Sequence, residues 1–378
     1  MSDSSLSPQL HFLVKASLGG RVNDILVPEY DKITNWDFVY DLSQDHQISA
    51  LLYSFLESSF KNEVPSDRLE DLKKHSTDQA VFNMLFLRKS IALYTDLVDS
   101  QVDAFLMKGA VWAWLLYENP GLREFGDIDF FLKKEQINEG LRVLSKHNFE
   151  PDSYRKYLLN SEKVGKLYFD TDYQLPLTPT SDDMVQSLEI QWNTTYPRYH
   201  YSFNWKELTH NMMPFKVGET SFLIPGPESQ LLMMIIHHGG VEQWDKLKYM
   251  ADLIRLLRKY GKQINWEEVI NKTKEKGFYK IFLQSLGLIY IFTGENYLAF
   301  CGKNLEKQYP SKQFYKKVIS HWENTRTKPV TKSWRIFYFN IIYRDRLSDK
   351  FSILFSHLAY LLEWRLIISK ARWYSKQA

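Results

Sequence analysis

The sequence predicts an α+β protein: a small mixed β-sheet over about residues 100–225, with a helical region before it at 1–99 and a helical domain after it at 226–378. Three observations predict this. Apolar residues recur at three- and four-residue spacing through the first hundred residues and again after Pro227. Short apolar or alternating runs bounded by Gly, Pro and Asp cluster between Val102 and Pro225. With 378 residues, 44% hydrophobic and 25% charged, the chain has an ordinary globular composition and ample length for a core.

The N-terminal stretch reads as helices. Leu10, Phe12, Leu13 and Ala16 form one apolar stripe, and Ile48, Leu51, Leu52, Phe55 and Leu56 a second. Pro65-Ser66-Asp67 opens a long helix to about residue 99, with Ser66 or Asp67 as its cap. Val102 to Met107 is the first strand. Lys108-Gly109-Ala110 then turns into a helix from Val111 to Tyr117. A helix N-terminus offers free N–H groups and a positive dipole end, which favour a phosphate. Gly109 lets backbone and ligand approach closely; the same residues also suit a plain strand-to-helix turn.

The next strand carries the chain's most distinctive pattern, Gly126-Asp127-Ile128-Asp129-Phe130-Phe131-Leu132. Residues two apart on a strand share a face. Asp127 and Asp129 therefore face one way, and Ile128 and Phe130 face a core. Paired carboxylates suit hard divalent cations and can bridge two metals about 3.5–4 Å apart. A lone Asp-x-Asp also occurs on solvated edge strands.

Further on, residues 134–147 read as an amphipathic helix, Val164 to Phe169 as a strand, and Asp170 to Asp183 as a loop with solvated aspartates. Leu188 to Trp192 is a strand with Leu188 and Ile190 on one face and Glu189 and Gln191 on the other. Pro197 to Thr220 reads as loop. A helix starts at Pro227 or Glu228 and reaches His237-His238, stopped by Gly239 or Gly240. Adjacent helical histidines lie about 100° apart, which excludes a zinc pair. Asp252 is expected to begin a helix and to pair with Lys248. Asn265, with Glu268 three residues later, caps another helix.

One cysteine, Cys301, excludes an intramolecular disulfide and suits a reducing compartment. The N-terminus has no basic start followed by an apolar core, so no secretory signal is expected. These features point to a cytoplasmic location. Phe351 to Ser369 is nearly long enough to span a bilayer, but His357, Glu363 and Arg365 interrupt it. It reads as an amphipathic or buried helix, and no transmembrane segment is expected. Net charge is +3, unevenly spread: from residue 301 onward stand 16 Lys/Arg against 5 Asp/Glu. Residues 303–350 interleave Lys316, Lys317, Arg326, Lys328, Arg335 and Arg344 with Trp322, Trp334, Phe337, Tyr338 and Tyr343. Such interleaving suits single-stranded nucleic acid or helices whose basic stems cover an aromatic core.

Lys108-Gly109 opening an apolar helix, then Arg123, then Gly126-Asp127-Ile128-Asp129 with its apolar tail, resembles the uncharacterised nucleotidyltransferase family of the polymerase-β-like superfamily. The likeness covers roughly residues 1–300. It implies Mg²⁺-dependent transfer of a nucleoside monophosphate from a nucleoside triphosphate such as ATP, using two metal ions and releasing pyrophosphate. It implies Asp127, Asp129 and Glu189 as catalytic residues and metal ligands, and Lys108, Gly109, Arg123, His237 and Lys246 as nucleotide contacts. Arg123 is expected either to hold a phosphate or to brace Asp127 or Asp129. The chain departs from the superfamily in its Lys108-Gly109-Ala110 turn, where Ser is usual, in the longer gap to Asp127, and in Gln191, near which the family often has a His. The acceptor hydroxyl or phosphate is open: a sugar phosphate, another small molecule, a peptide, a protein hydroxyl or an RNA end. Two alternatives stand beside this reading. One is a non-catalytic nucleotide- or partner-binding protein with a relic site. The other is a nucleic-acid-binding protein led by the basic C-terminal region.

Overall fold

The computed structural model describes residues 6–19, 33, 35–59, 64–323 and 329–376. Four helices come first: α1 (Pro8–Leu18), α2 (Trp36–Asp45), α3 (Ser49–Ser59) and the long α4 (Ser66–Asp99). The central region follows as β1 (Ala104–Met107), α5 (Gly109–Leu116), β2 (Ile128–Leu132), α6 (Ile137–Ser145), β3 (Phe149–Pro151), α7 (Ser153–Leu159), α8 (Glu162–Thr171), β4 (Gln174–Pro179), β5 (Leu188–Gln191), α9 (Trp205–Leu208), β6 (Met212–Val217) and β7 (Thr220–Pro225). The C-terminal helices are α10 (Pro227–Met234), α11 (Leu247–Tyr260), α12 (Trp266–Glu275), α13 (Tyr279–Thr293), α14 (Lys312–Glu323), α15 (Pro329–Tyr343), α16 (Leu347–Leu362) and α17 (Trp364–Ser375). This is the α+β architecture expected.

Five strands form one mixed sheet in the order β1-β2-β5-β4-β3. β1 and β2 pair antiparallel, β2 and β5 parallel, and β4 antiparallel to both β5 and β3. β2 is buried along its whole length, which explains the continuous Phe130-Phe131-Leu132 end after Asp129: a central strand covered on both faces has no solvated side to alternate toward. β6 and β7 form a separate hairpin turned by Gly218 at φ +58°.

Several local expectations are corrected. Val164 to Phe169 lies in helix α8, not a strand; its buried Val164, Gly165 and Tyr168 follow helical spacing, and the Ser161 hydroxyl accepts from the Val164 amide to cap it. The expected loop at 170–183 contains β4. Pro176 and Pro179 masked it, since proline cannot donate to a ladder, yet the Pro176 carbonyl accepts from Asp152 at 3.3 Å. The stretch 197–220 contains α9 and β6. α4 begins where expected, but Pro65 holds the cap position and no side chain caps it. Asn265 does cap α12, accepting from the Glu268 amide at 3.2 Å.

The helix from Pro227 is not stopped by its glycines. Residues Ile235–Val241 continue it as a π-helix, with the Glu242 amide reaching back to the His237 carbonyl at 2.9 Å. A side chain at Gly240 would meet the Tyr201 hydroxyl at 2.5 Å, so the wide turn passes that ring only because it carries none. π segments of this kind are concentrated at functional sites.

Among the described residues, no single helix is long and apolar enough to cross a membrane. The apolar run near the C-terminus is broken at Glu363, where α16 and α17 diverge by 67°. Much of the aromatic–basic interleaving at 303–350 is interior or committed: Trp322 and Arg344 are buried, Lys332 pairs with Glu242 and Arg335 with Asp245. Arg326 and Lys328 lie outside the described residues.

Candidate active site

The parallel register of β2 and β5 sets Asp129 directly beside Glu189. Asp129 is buried, Glu189 half-buried, and Asp127 half-buried at the entrance to β2. Asp127 acts electrostatically on both other carboxyls, so the three acids share one neighbourhood although 62 positions separate the first from the last. Burial lifts Asp129 well above the usual carboxylate range. Lys108 opposes that rise, and the charges of Asp127 and Glu189 add to it. Burial raises Glu189 as well, against the pull of Lys108.

Two amides hold these acids. The Gln191 Nε2 donates to Asp129 Oδ1 at 2.8 Å and to Glu189 Oε2 at 3.2 Å. Gln174 Nε2 donates to Glu189 Oε1 at 3.0 Å. The Gln191 Oε1 is buried and, among the described residues, has no hydrogen-bond partner. An acceptor without a donor inside a protein costs about 1–3 kcal/mol, so the cluster is short of positive charge or donors. Lys108 supplies the nearest cation, its Nζ 3.6 Å from Asp129 Oδ1.

Lys108 is held in place by an uncommon backbone. It adopts φ +51° and ψ −133°, and Gly109 follows at φ +22°. A Cβ at Gly109 would press on the Asp127 carbonyl at 3.2 Å and the Phe125 ring at 3.4 Å. The turn therefore needs glycine there, and α5 starts immediately after the lysine. A non-glycine residue in this region costs of order 1–3 kcal/mol, and such residues cluster at ligand-binding positions.

Arg123 pairs with an aspartate other than the two expected. Its Nε and Nη2 donate to Asp252 Oδ1 and Oδ2, each at 2.9 Å, and its Nη1 donates to the Gly109 carbonyl at 3.2 Å. It therefore braces neither Asp127 nor Asp129. Asp252 is fully buried within α11, which begins five residues earlier, and it pairs with Arg123 rather than Lys248. The Tyr117 hydroxyl donates to it at 2.8 Å, and His238 Nε2 lies 3.4 Å away. Burial alone would raise Asp252, but Arg123 and His238 hold it well below the usual carboxylate range. Arg123 thus ties α5, through Gly109, to α11.

His237 is half-buried with its Nδ1 3.1 Å from that of His238. Burial keeps it neutral, and Lys108 and Lys248 act in the same direction. Burial also pushes the His238 ring down to about 4 and the Lys248 ammonium down to about 8. Lys248 donates to Gln47 and to the Glu124 carbonyl. Lys246 stands at the start of α11, where its charge acts on His46 and Lys248. Gln174 and the Asp252 partnership carry no local signal: Gln174 lies in a proline-bearing segment with the composition of a loop, and the Arg123–Asp252 pair spans 129 positions.

The donor set of carboxylate oxygens fits a hard divalent cation, and the orphaned Gln191 oxygen fits it too. Among the described residues, no three or more His, Cys, Asp or Glu side chains are drawn together tightly enough to grip a metal by themselves. The Gln191 amide holds the position between two of them.

A family model described as uncharacterised nucleotidyltransferase matches residues 32–294, more than half of the chain and every residue of the site described in this subsection. No curated protein and no solved structure matches the chain.

Proposed function

Since the chain belongs to the uncharacterised nucleotidyltransferase family, we propose that it moves a nucleoside monophosphate from a nucleoside triphosphate to an acceptor hydroxyl. The acceptor is a small molecule, a sugar or a peptide. The observation that carries this reading is the Asp129–Glu189 pair, set side by side by strand register and enclosed with Lys108. Asp127, Asp129 and Glu189 would hold Mg²⁺, which when bound supplies charge neutralisation for the transferring phosphoryl group.

The chain's own residues have these roles. The first amides of α5 and the Lys108 ammonium receive triphosphate oxygens. The acceptor oxygen attacks the α-phosphorus, a new P–O bond forms, and the bond to the bridging oxygen of the β-phosphate breaks as pyrophosphate leaves. The acceptor's proton passes to Glu189, whose affinity for protons is raised by burial. Arg123 and Asp252 keep the Gly109 carbonyl, and with it the turn, in place. Catalysis rests mainly on positioning and electrostatics, as in phosphoryl transfer generally.

The test is incubation with each labelled triphosphate, Mg²⁺ and cell extract, comparing the intact chain with Asp129→Ala. Label on a product with the intact chain alone supports the reading; no label with any triphosphate overturns it. One observation favours a second reading, non-catalytic nucleotide binding: no three-donor metal set is preassembled among the described residues. Nucleotide binding without label transfer would select it.

A further inference from the structure

We propose that the outer face of α16 and the start of α17 form a docking surface for an anionic lipid bilayer, lying flat on it rather than crossing it. Along α16, Leu347, Phe351, Leu354, Leu358 and Leu361 recur at four- and three-residue steps, and all are exposed. Phe355 and Leu362 widen the stripe, and Leu362 is 78% exposed. Apolar stripes on helices ordinarily face the interior; this one faces away from it. Past the bend, Trp364 (61% exposed) and Ile368 continue the apolar surface.

The opposite side of the same helices is fastened to the body. Ile353 and Leu366 are fully buried. Ser356 is hydrogen-bonded to His200 at 2.7 Å, and the His357 ring packs between Tyr199 and Phe337. Trp373 of α17 packs on Tyr154 and Tyr157 of α7. Insertion across a bilayer would tear away these contacts and carry Glu363 and Arg365 to membrane depth, where charge is expensive. Lying in the interface keeps them.

Charge selects lipid as the occupant. From Arg346 to Lys376 there are six Lys/Arg and two Asp/Glu. Asp349 is already paired with Arg346. Arg365 and Arg372 are exposed within the same stretch as Trp364 and Ile368. An apolar stripe rimmed by Arg and Lys, with Trp and Tyr at its margins, is the composition of a helix that rests in the headgroup layer of anionic membranes. A self-complementary contact between copies would set these cations against each other.

The test is flotation of the full chain with vesicles of phosphatidylcholine, alone or mixed with phosphatidylglycerol, together with its oligomeric state in solution. The expected result is binding to the mixed vesicles that weakens with salt. Leu354→Ser/Leu358→Ser should lower the partition coefficient more than about tenfold, and Arg365→Glu/Arg372→Glu by a similar factor. Because these side chains face outward, both variants should unfold at the temperature of the parent, which separates lost binding from lost folding. No binding to mixed vesicles overturns the proposal. So does a concentration-dependent dimer that the double serine variant abolishes, which assigns the face to a second copy.

Discussion

Replacing Asp252 tests whether a buried charge pair shapes the Lys108-Gly109 turn. Asp252 is completely enclosed and Arg123 nearly so, joined by two hydrogen bonds of 2.9 Å. Asp252→Ala leaves the Arg123 guanidinium buried without its counter-charge and removes the acceptor for Tyr117. Breaking a buried pair from one side costs about 3–5 kcal/mol. For a chain of this length the unfolding entropy is roughly 0.8 kcal/mol per degree, so the midpoint should fall by about 4–6 °C. The double variant Arg123→Met/Asp252→Leu removes both charges and restores apolar volume, so its loss should be smaller than the sum of the single losses. Scanning calorimetry measures the parent, Asp252→Ala, the single variants Arg123→Met and Asp252→Leu, and the double variant. The depressed Asp252 carboxyl also gives a pH signature. Its contribution is complete above the unfolded carboxylate range and is lost as pH falls through the lower folded value. Asp252→Ala should therefore differ most from the parent near neutrality and converge with it in strong acid. An unchanged midpoint for Asp252→Ala, or a double variant whose loss equals the summed singles, refutes the reasoning.

Other outcomes follow from the site. Asp129→Asn should raise the melting temperature in metal-free buffer while abolishing transfer, because it removes a carboxylate that burial disfavours; calorimetry with the labelled-triphosphate assay checks both. Mg²⁺ should stabilise the parent by up to about 2.7 kcal/mol at a hundred times its dissociation constant. That gain should shrink as pH falls, since protons compete for the raised Asp129 and Glu189 carboxyls; thermal shift across a pH series reads it. Gly109→Ala should cost about 1 kcal/mol or more and lower nucleotide affinity, because the added methyl meets the Asp127 carbonyl; urea unfolding and nucleotide titration measure the two effects. Gln191→Ala should weaken transfer far more than it weakens nucleotide binding, as kcat and KM measured separately will show.

Much of the site is written locally. The Gly126-Asp127-Ile128-Asp129 step marks β2 and its entrance, and the Leu188–Gln191 alternation marks the strand bearing Glu189. The Lys108-Gly109 step announces its turn because few residue pairs suit that backbone. What escaped reading was either disguised or distant. Aromatic and β-branched residues gave α8 the look of a strand, and prolines gave β4 the look of a loop. Arg123 and Asp252 meet only through tertiary packing, so neighbours such as Lys248, in range along the sequence, drew the pairing that the fold gives to another residue.

The extra-wide coil at Ile235–Val241 carries a consequence for comparing this chain with its kin. Such a coil works as a phase adjuster: gaining or dropping one position there would rotate everything upstream relative to everything downstream. The imidazoles of His237 and His238 would then swing away from Lys108 and Asp252 with no substitution at any of the four. In a related sequence, the number of positions in this segment is therefore worth inspecting before the letters that fill it.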